Sequence, residues 1–173
     1  MDNEPRISWN VYGAARDLVG RVAASNGVEG VRRGHVLVIG DVEQVLASGH
    51  LKGHNDFSDP DMQGIAIEDS VGAEAVRCRM NAGCMTIIDG VMGIVHVNNF
   101  FANRAPSSSV SRSLDEGKVG SETDEALRLS RTCSQCVIFT ISTDGRVTEY
   151  QNGHSVEVDP MASPHEDHRE IGY

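Results

Sequence analysis

Lysine is almost missing from this chain: Lys52 and Lys118 are the only two, and the formal net charge is -10. Such a balance gives no basic stripe to draw phosphate backbones or anionic lipid surfaces, so neither nucleic acid nor membrane is expected as a partner. An acidic surface that prefers arginine to lysine fits a salty cytoplasm or simply a GC-rich genome. Long apolar runs are missing too, none approaching the ~18 residues of a membrane span. The opening Met1-Asp2-Asn3-Glu4 lacks the basic-then-apolar order of a secretory signal. The expectation is a soluble, cytoplasmic protein. No internal repeat is visible.

Cysteine is sparse, with Cys78, Cys84, Cys133 and Cys136 only. Without an export signal these are expected to be reduced thiols in core-proximal segments rather than a disulfide framework. Cys133-Ser134-Gln135-Cys136 has the spacing of half a zinc site or of a redox pair, but no second pair repeats it, which favours small residues at a helix-to-strand junction. His35, His50 and His54 lack acid or thiol neighbours at ligand spacing and read as scattered solvated histidines.

What is present is a sequence of alternating helix and strand signals in 173 residues, the size of one domain. Val11, Ala14, Ala15, Leu18, Val19 and Val22 recur at helical steps over residues 10–25, with Asn26-Gly27 as the stop. HVLVIGD is a strand apolar on both faces, and Asp41 is placed to cap a short helix over VEQVLAS. Residues 49–61 lack periodicity and read as a surface loop. Residues 65–80 predict a weak amphipathic helix before the turn Asn81-Ala82-Gly83, and CMTIID with GIVHVNN predicts a hairpin.

Residues 122–130 predict a helix with Ser121 as N-cap and Glu122 and Asp124 in its first turn, where the helix dipole favours carboxylates. CVIFTIS is a buried strand, and the turns Asp144-Gly145 and Asn152-Gly153 continue it as a meander. The fold class expected is α/β, a single domain over residues 1–158 with a central mixed β-sheet flanked by helices. Residues 102–120 form a polar, Ser-rich loop within it, and residues 159–173 a polar tail.

Taken in order, EGVRRGHVLVIGDVEQVL, Asn81-Ala82-Gly83 before CMTII, the GIVHVNNFF hairpin, and GSETDEALRLSRTCSQCVIFTIS resemble the diadenylate cyclase domain over residues 11–158. The resemblance implies a nucleotide site built from two motifs, with an aspartate of the first activating a hydroxyl and binding metal. In the second, a glycine, a hydroxyl residue and Arg-His-Arg hold ATP phosphates at a helix start. It implies ATP or another adenine nucleotide as ligand and a divalent metal, manganese or magnesium, in an active member. It also implies face-to-face pairing, as a homo-oligomer or with an active cyclase subunit.

The motif positions have changed character. Asn81 stands where the aspartate would be, followed by Ala82 and Gly83, and a carboxamide neither carries charge nor takes a proton. A one-residue slip would set Asp89-Gly90-Val91 there instead. Gly120 and Ser121 keep the second motif's opening, while Glu122, Thr123 and Asp124 replace its three basic residues. Two carboxylates for two guanidinium groups shift the local formal charge by about -4, each close pair being worth ~1 kcal/mol in water and ~4 kcal/mol at an effective dielectric near 20.

Gly120, Ser121 and the helix N-terminal amides are what survives of a phosphate cradle. Asp144 is the one acid near the end of the last core strand and so a candidate metal ligand, or simply the first residue of its turn. No catalytic residue can be assigned. The reading is a divergent, impaired domain that binds a nucleotide or a partner subunit. The alternative is an active cyclase or related nucleotidyltransferase that uses Asp89, Asp144, Glu122 or Asp124 as substitute ligands.

Overall fold

A computed structural model describes residues 7–28, 34–48, 60–80, 84–100 and 121–162. The order is α1 (Trp9–Val28), β1 (His35–Gly40), α2 (Val42–Ala47), a short 3-10 turn (Pro60–Met62), α3 (Ser70–Met80), β2 (Cys84–Asp89), β3 (Val95–Phe100), α4 (Ser121–Thr132), β4 (Cys136–Ile141), β5 (Val147–Gln151) and β6 (His154–Val158). The strands form one six-stranded sheet in the order β3-β2-β1-β4-β5-β6. β1 and β2 run parallel and every other neighbouring pair runs antiparallel, so the sheet is mixed.

The two continuous apolar strands, β1 and β4, lie side by side at the centre and are buried at every position. Each alternates its side chains between two separate helical layers. Leu37, Ile39, Val137, Phe139 and Ile141 pack with Val11, Leu18 and Val22 of α1 and with Val76 and Met80 of α3. Val36, Val38, Cys136 and Ile138 pack on the opposite face with Val42 and Val45 of α2 and with Ala126, Leu129 and Cys133 of α4. This is the α/β architecture expected, helices covering both faces of a mixed sheet.

Most local signals act as read. Asp41 caps α2, its carboxylate accepting the Gln44 N–H at 3.1 Å. Asn152 and Gly153 adopt φ of 50° and 79°, as a two-residue hairpin turn requires. Three expectations are corrected. Helix α1 continues through Asn26-Gly27 to Val28, because neither residue is forced out of helical geometry by its type alone.

The helix expected over residues 65–80 begins only at Ser70, where the Asp69 carboxylate accepts the Gly72 N–H at 2.9 Å. Ahead of that cap the chain runs along the outer edge of β3: Gly64 N–H donates to the Val95 carbonyl and Val95 N–H to the Ile65 carbonyl, both at 2.9 Å. Third, α4 starts at Ser121 itself, one residue before the expected first helical position.

Histidine and cysteine also differ from expectation in part. His35 is not solvated but fully buried at the head of β1, and Cys78 is exposed on α3. His50 and His54 lie outside the described residues. Among the described residues no helix is long and apolar enough to cross a membrane.

Candidate functional site

Antiparallel and parallel pairing together give the sheet two distinct ends. At the first, Gly40 of β1 lies beside Asp89 of β2 and Cys136 of β4. Backbone groups there are consumed in close contacts: Gly90 N–H donates to the Gly40 carbonyl at 2.9 Å, and Asp89 Oδ1 accepts from Val91 and Met92 N–H at 2.8 and 2.7 Å. Gly40 has φ +154°, and a Cβ there would stand 2.7 Å from the Cys136 Cα.

The other end is where β2 begins and β4 finishes, since Val36 pairs with Met85 and His35 with Ile141. Met80, the last residue of α3, leads across residues 81–83 into Cys84 at this end. Helix α4 has its C-terminal part at the first end, where Gly153 N–H donates to Ser130 Oγ at 3.3 Å and Cys133 Sγ donates to the Gln44 carbonyl at 3.5 Å. From there α4 lies back over β4, so its twelve residues, rising ~1.5 Å each, carry its first turn toward the second end. The Asp144 turn between β4 and β5 is there too.

Topology therefore brings Met80, Cys84, the first turn of α4 and the Asp144 turn toward one end of the sheet. Asn81, Ala82, Gly83 and Gly120 themselves lie outside the described residues. Ser121 and Glu122 are described as the first backbone positions of α4, Thr123 is half-buried and Asp124 is exposed. The slipped alternative does not share this end, because Asp89 closes β2 at the far end, where its carboxylate caps the turn into β3.

Asp144 is exposed, and its carboxylate is engaged by its own turn. Ser142 Oγ donates to Oδ1, and Arg146 donates its backbone N–H to Oδ1 at 3.3 Å and its Nε to Oδ2 at 2.9 Å. The Ser142 hydrogen bond, followed by the Arg146 N–H, holds the carboxyl below its ordinary range. Both oxygens thus accept hydrogen bonds from Asp144's own turn. Among the described residues no group of three His, Cys, Asp or Glu side chains converges to hold a metal ion.

The Cys133/Cys136 pair is equally settled in its surroundings. Both thiols are free and buried, and Cys136 Sγ donates to the Cys133 carbonyl at 3.0 Å. Burial, and then the neighbouring Cys133, push the Cys136 thiol up to about 12, and burial likewise raises Cys133. Neutral thiols of this kind are poor nucleophiles and poor metal ligands, in keeping with the junction role read from the sequence.

Sequence reading missed two features near this end. Arg146 is the counter-ion of Asp144, two residues away, and only the tight turn reveals it. A cleft of about 480 Å³ lies between Arg16, Gly20 and Arg21 of α1 and the Pro160–Ala162 turn, joining elements whose separation in sequence hid the contact.

No family model matches the chain, nor does any curated protein. Among solved structures, the chain is similar to DacA from Staphylococcus aureus, crystallised as a double mutant, with 14% identity, a TM-score of 0.48 and coverage of 87% of each chain. It is also similar to a hypothetical membrane spanning protein from Bacillus cereus, with 14% identity, a TM-score of 0.49 and coverage of 82% of this chain and 60% of that one.

Proposed function

We propose that this chain is a divergent diadenylate-cyclase-like domain that no longer makes cyclic di-AMP by the usual residues and instead binds an adenine nucleotide or a partner subunit. The observation that carries the reading is the acidic opening of α4. Glu122 and Asp124 occupy its first turn, where the sequence resemblance calls for cations that hold a triphosphate. First-turn carboxylates are comfortable at a helix N-terminus and repel a polyanion arriving at the same place. Asn81 in the other motif removes the group that would activate the attacking hydroxyl.

The residual amides of the helix start, with Gly120 and Ser121, support weak phosphate contact without the bidentate grip of arginine. A bridging divalent cation, manganese or magnesium, is the one component that would reconcile acids with phosphate. Asp144 is poorly suited to hold it because its carboxylate already serves the turn. The test is to incubate the purified protein with ATP and manganese and to search for cyclic di-AMP by mass spectrometry, with calorimetry of ATP binding alongside. No cyclic product is expected. Robust turnover would overturn the proposal in favour of an active cyclase built on substitute carboxylates.

A further inference from the structure

The two edges of the sheet are finished differently. On one side the outer edge of β3 is met by residues 64–67, through the Gly64, Val95 and Ile67 backbone hydrogen bonds, and the β2–β3 register shifts between Ile87 and Ile88. Covering and bulging are standard ways of closing an edge to further pairing. β6, on the other side, has neither among the described residues. Its register against β5 is unbroken from His154 to Val158, it contains no proline or lysine, and no strand among the described residues lies outside it.

The backbone of β6 also has a fixed polarity. Gln151 and His154 flank the two-residue turn and form the first pair of the hairpin, so they exchange both hydrogen bonds with each other. Alternation then commits Val156 and Val158 to β5 and leaves the N–H and C=O of Ser155 and Glu157 pointing outward. Residues 154 to 157 are exposed, and Val156 keeps 56% of its surface open to solvent between the polar Ser155 and Glu157.

From this geometry we infer that β6 is a self-association edge, and that its partner is β6 of a second copy of this chain, aligned antiparallel about a two-fold axis through Val156. The register is self-complementary. Ser155 of each copy pairs with Glu157 of the other, the two outward-facing residues exchanging backbone hydrogen bonds while a hydroxyl meets a carboxylate. Val156 meets Val156 in the closer, non-hydrogen-bonded position, where side chains approach best. No like charges are brought opposite one another. Two six-stranded sheets thus become one continuous sheet. The inference stands apart from the nucleotide reading, since it uses neither α4 nor residues 81–83.

The experiment is sedimentation velocity of the full chain over a range of concentrations, together with three variants. The unaltered protein is expected to show a concentration-dependent dimer. Val156→Lys, which sets two ammonium groups against each other on an exposed face, should weaken it by about tenfold or more. Ser155→Pro removes an outward donor without touching the β5 ladder, so it should weaken the dimer with little change in melting temperature. Val156→Cys should yield a disulfide-linked dimer on mild oxidation well beyond that of the unaltered protein, whose exposed Cys78 sets the background. A monomer at every concentration overturns the inference, as does a dimer that Val156→Lys leaves intact or a Val156→Cys variant that does not cross-link above background.

Discussion

The two ends of the sheet are built to opposite specifications. At the Gly40 end, turns and caps absorb one another's backbone groups at distances near 2.8 Å, and the approach of Cys136 leaves no room for a side chain at Gly40. At the Ile141 end, the described carboxylates of Asp124 and Asp144 face solvent, with Arg146 as a local counter-ion. The tightly bonded turns of the Gly40 end contribute to stability. Among the described residues of the open end, Asp124 and Asp144 carry the sign of charge that repels a triphosphate.

The sharpest way to test that contrast is to reverse the charge of the open end. Replacing Glu122 and Asp124 together by arginine should raise ATP affinity by about two orders of magnitude, since each close pair is worth ~1 to 4 kcal/mol depending on screening. Calorimetry at low and high salt checks it, the gain shrinking as salt rises. Unchanged affinity would mean that the first turn of α4 does not face the ligand.

The closed end should answer next, in stability rather than affinity. Gly40→Ala sets a Cβ against Gln135 and Cys136 at a φ of +154° that suits glycine, and a loss of roughly 2–4 kcal/mol is expected in denaturant unfolding. ATP binding of the folded fraction should not change.

Asp144→Asn should have the smallest effect, because the group is exposed and its interactions are local. Its folded pKa is lowered, so the stabilisation it provides is present above the ordinary carboxylate range of about 4 and disappears as pH falls through the lowered folded value. The variant and the parent should therefore converge in melting temperature in acid and differ slightly at neutral pH. A large loss at neutral pH, or a loss of metal-dependent nucleotide binding, would return Asp144 to the site.

Much of the fold is legible in short stretches whose physics is local. HVLVIG and CVIFTI are apolar except for His35 and Thr140 because both faces of the central strands are covered, and Asp41 and Asn152-Gly153 fix their cap and turn by residue type. Residues 65–69 are ambiguous in sequence because Ile65 and Ile67 fit a helical face as well as they fit an edge segment. Only the β3 edge, supplied by a distant part of the chain, decides between the two. Asp69 was the available signal, a capping residue placed where the apolar pattern suggested a helix already under way.

The candidate site was legible through resemblance alone. Composition and period do not mark the first turn of α4 as a site, because glutamate and aspartate there are also ordinary helix-start residues. The burial of His35 was invisible for a related reason. A histidine opening an apolar strand has the same pattern whether its ring meets water or core.

β1 is paired to β2 in parallel and to β4 across the middle of the sheet, and both neighbours come from far along the chain. The β2–β3 hairpin and the β4–β5–β6 meander, by contrast, close over short connections. Chain-closure entropy therefore makes the central strand the last to be seated, joining two preassembled halves as a keystone does. Pulse-labelled amide exchange during refolding should find β5 and β6 protected ahead of β1, and the reverse order would place the nucleus at the centre.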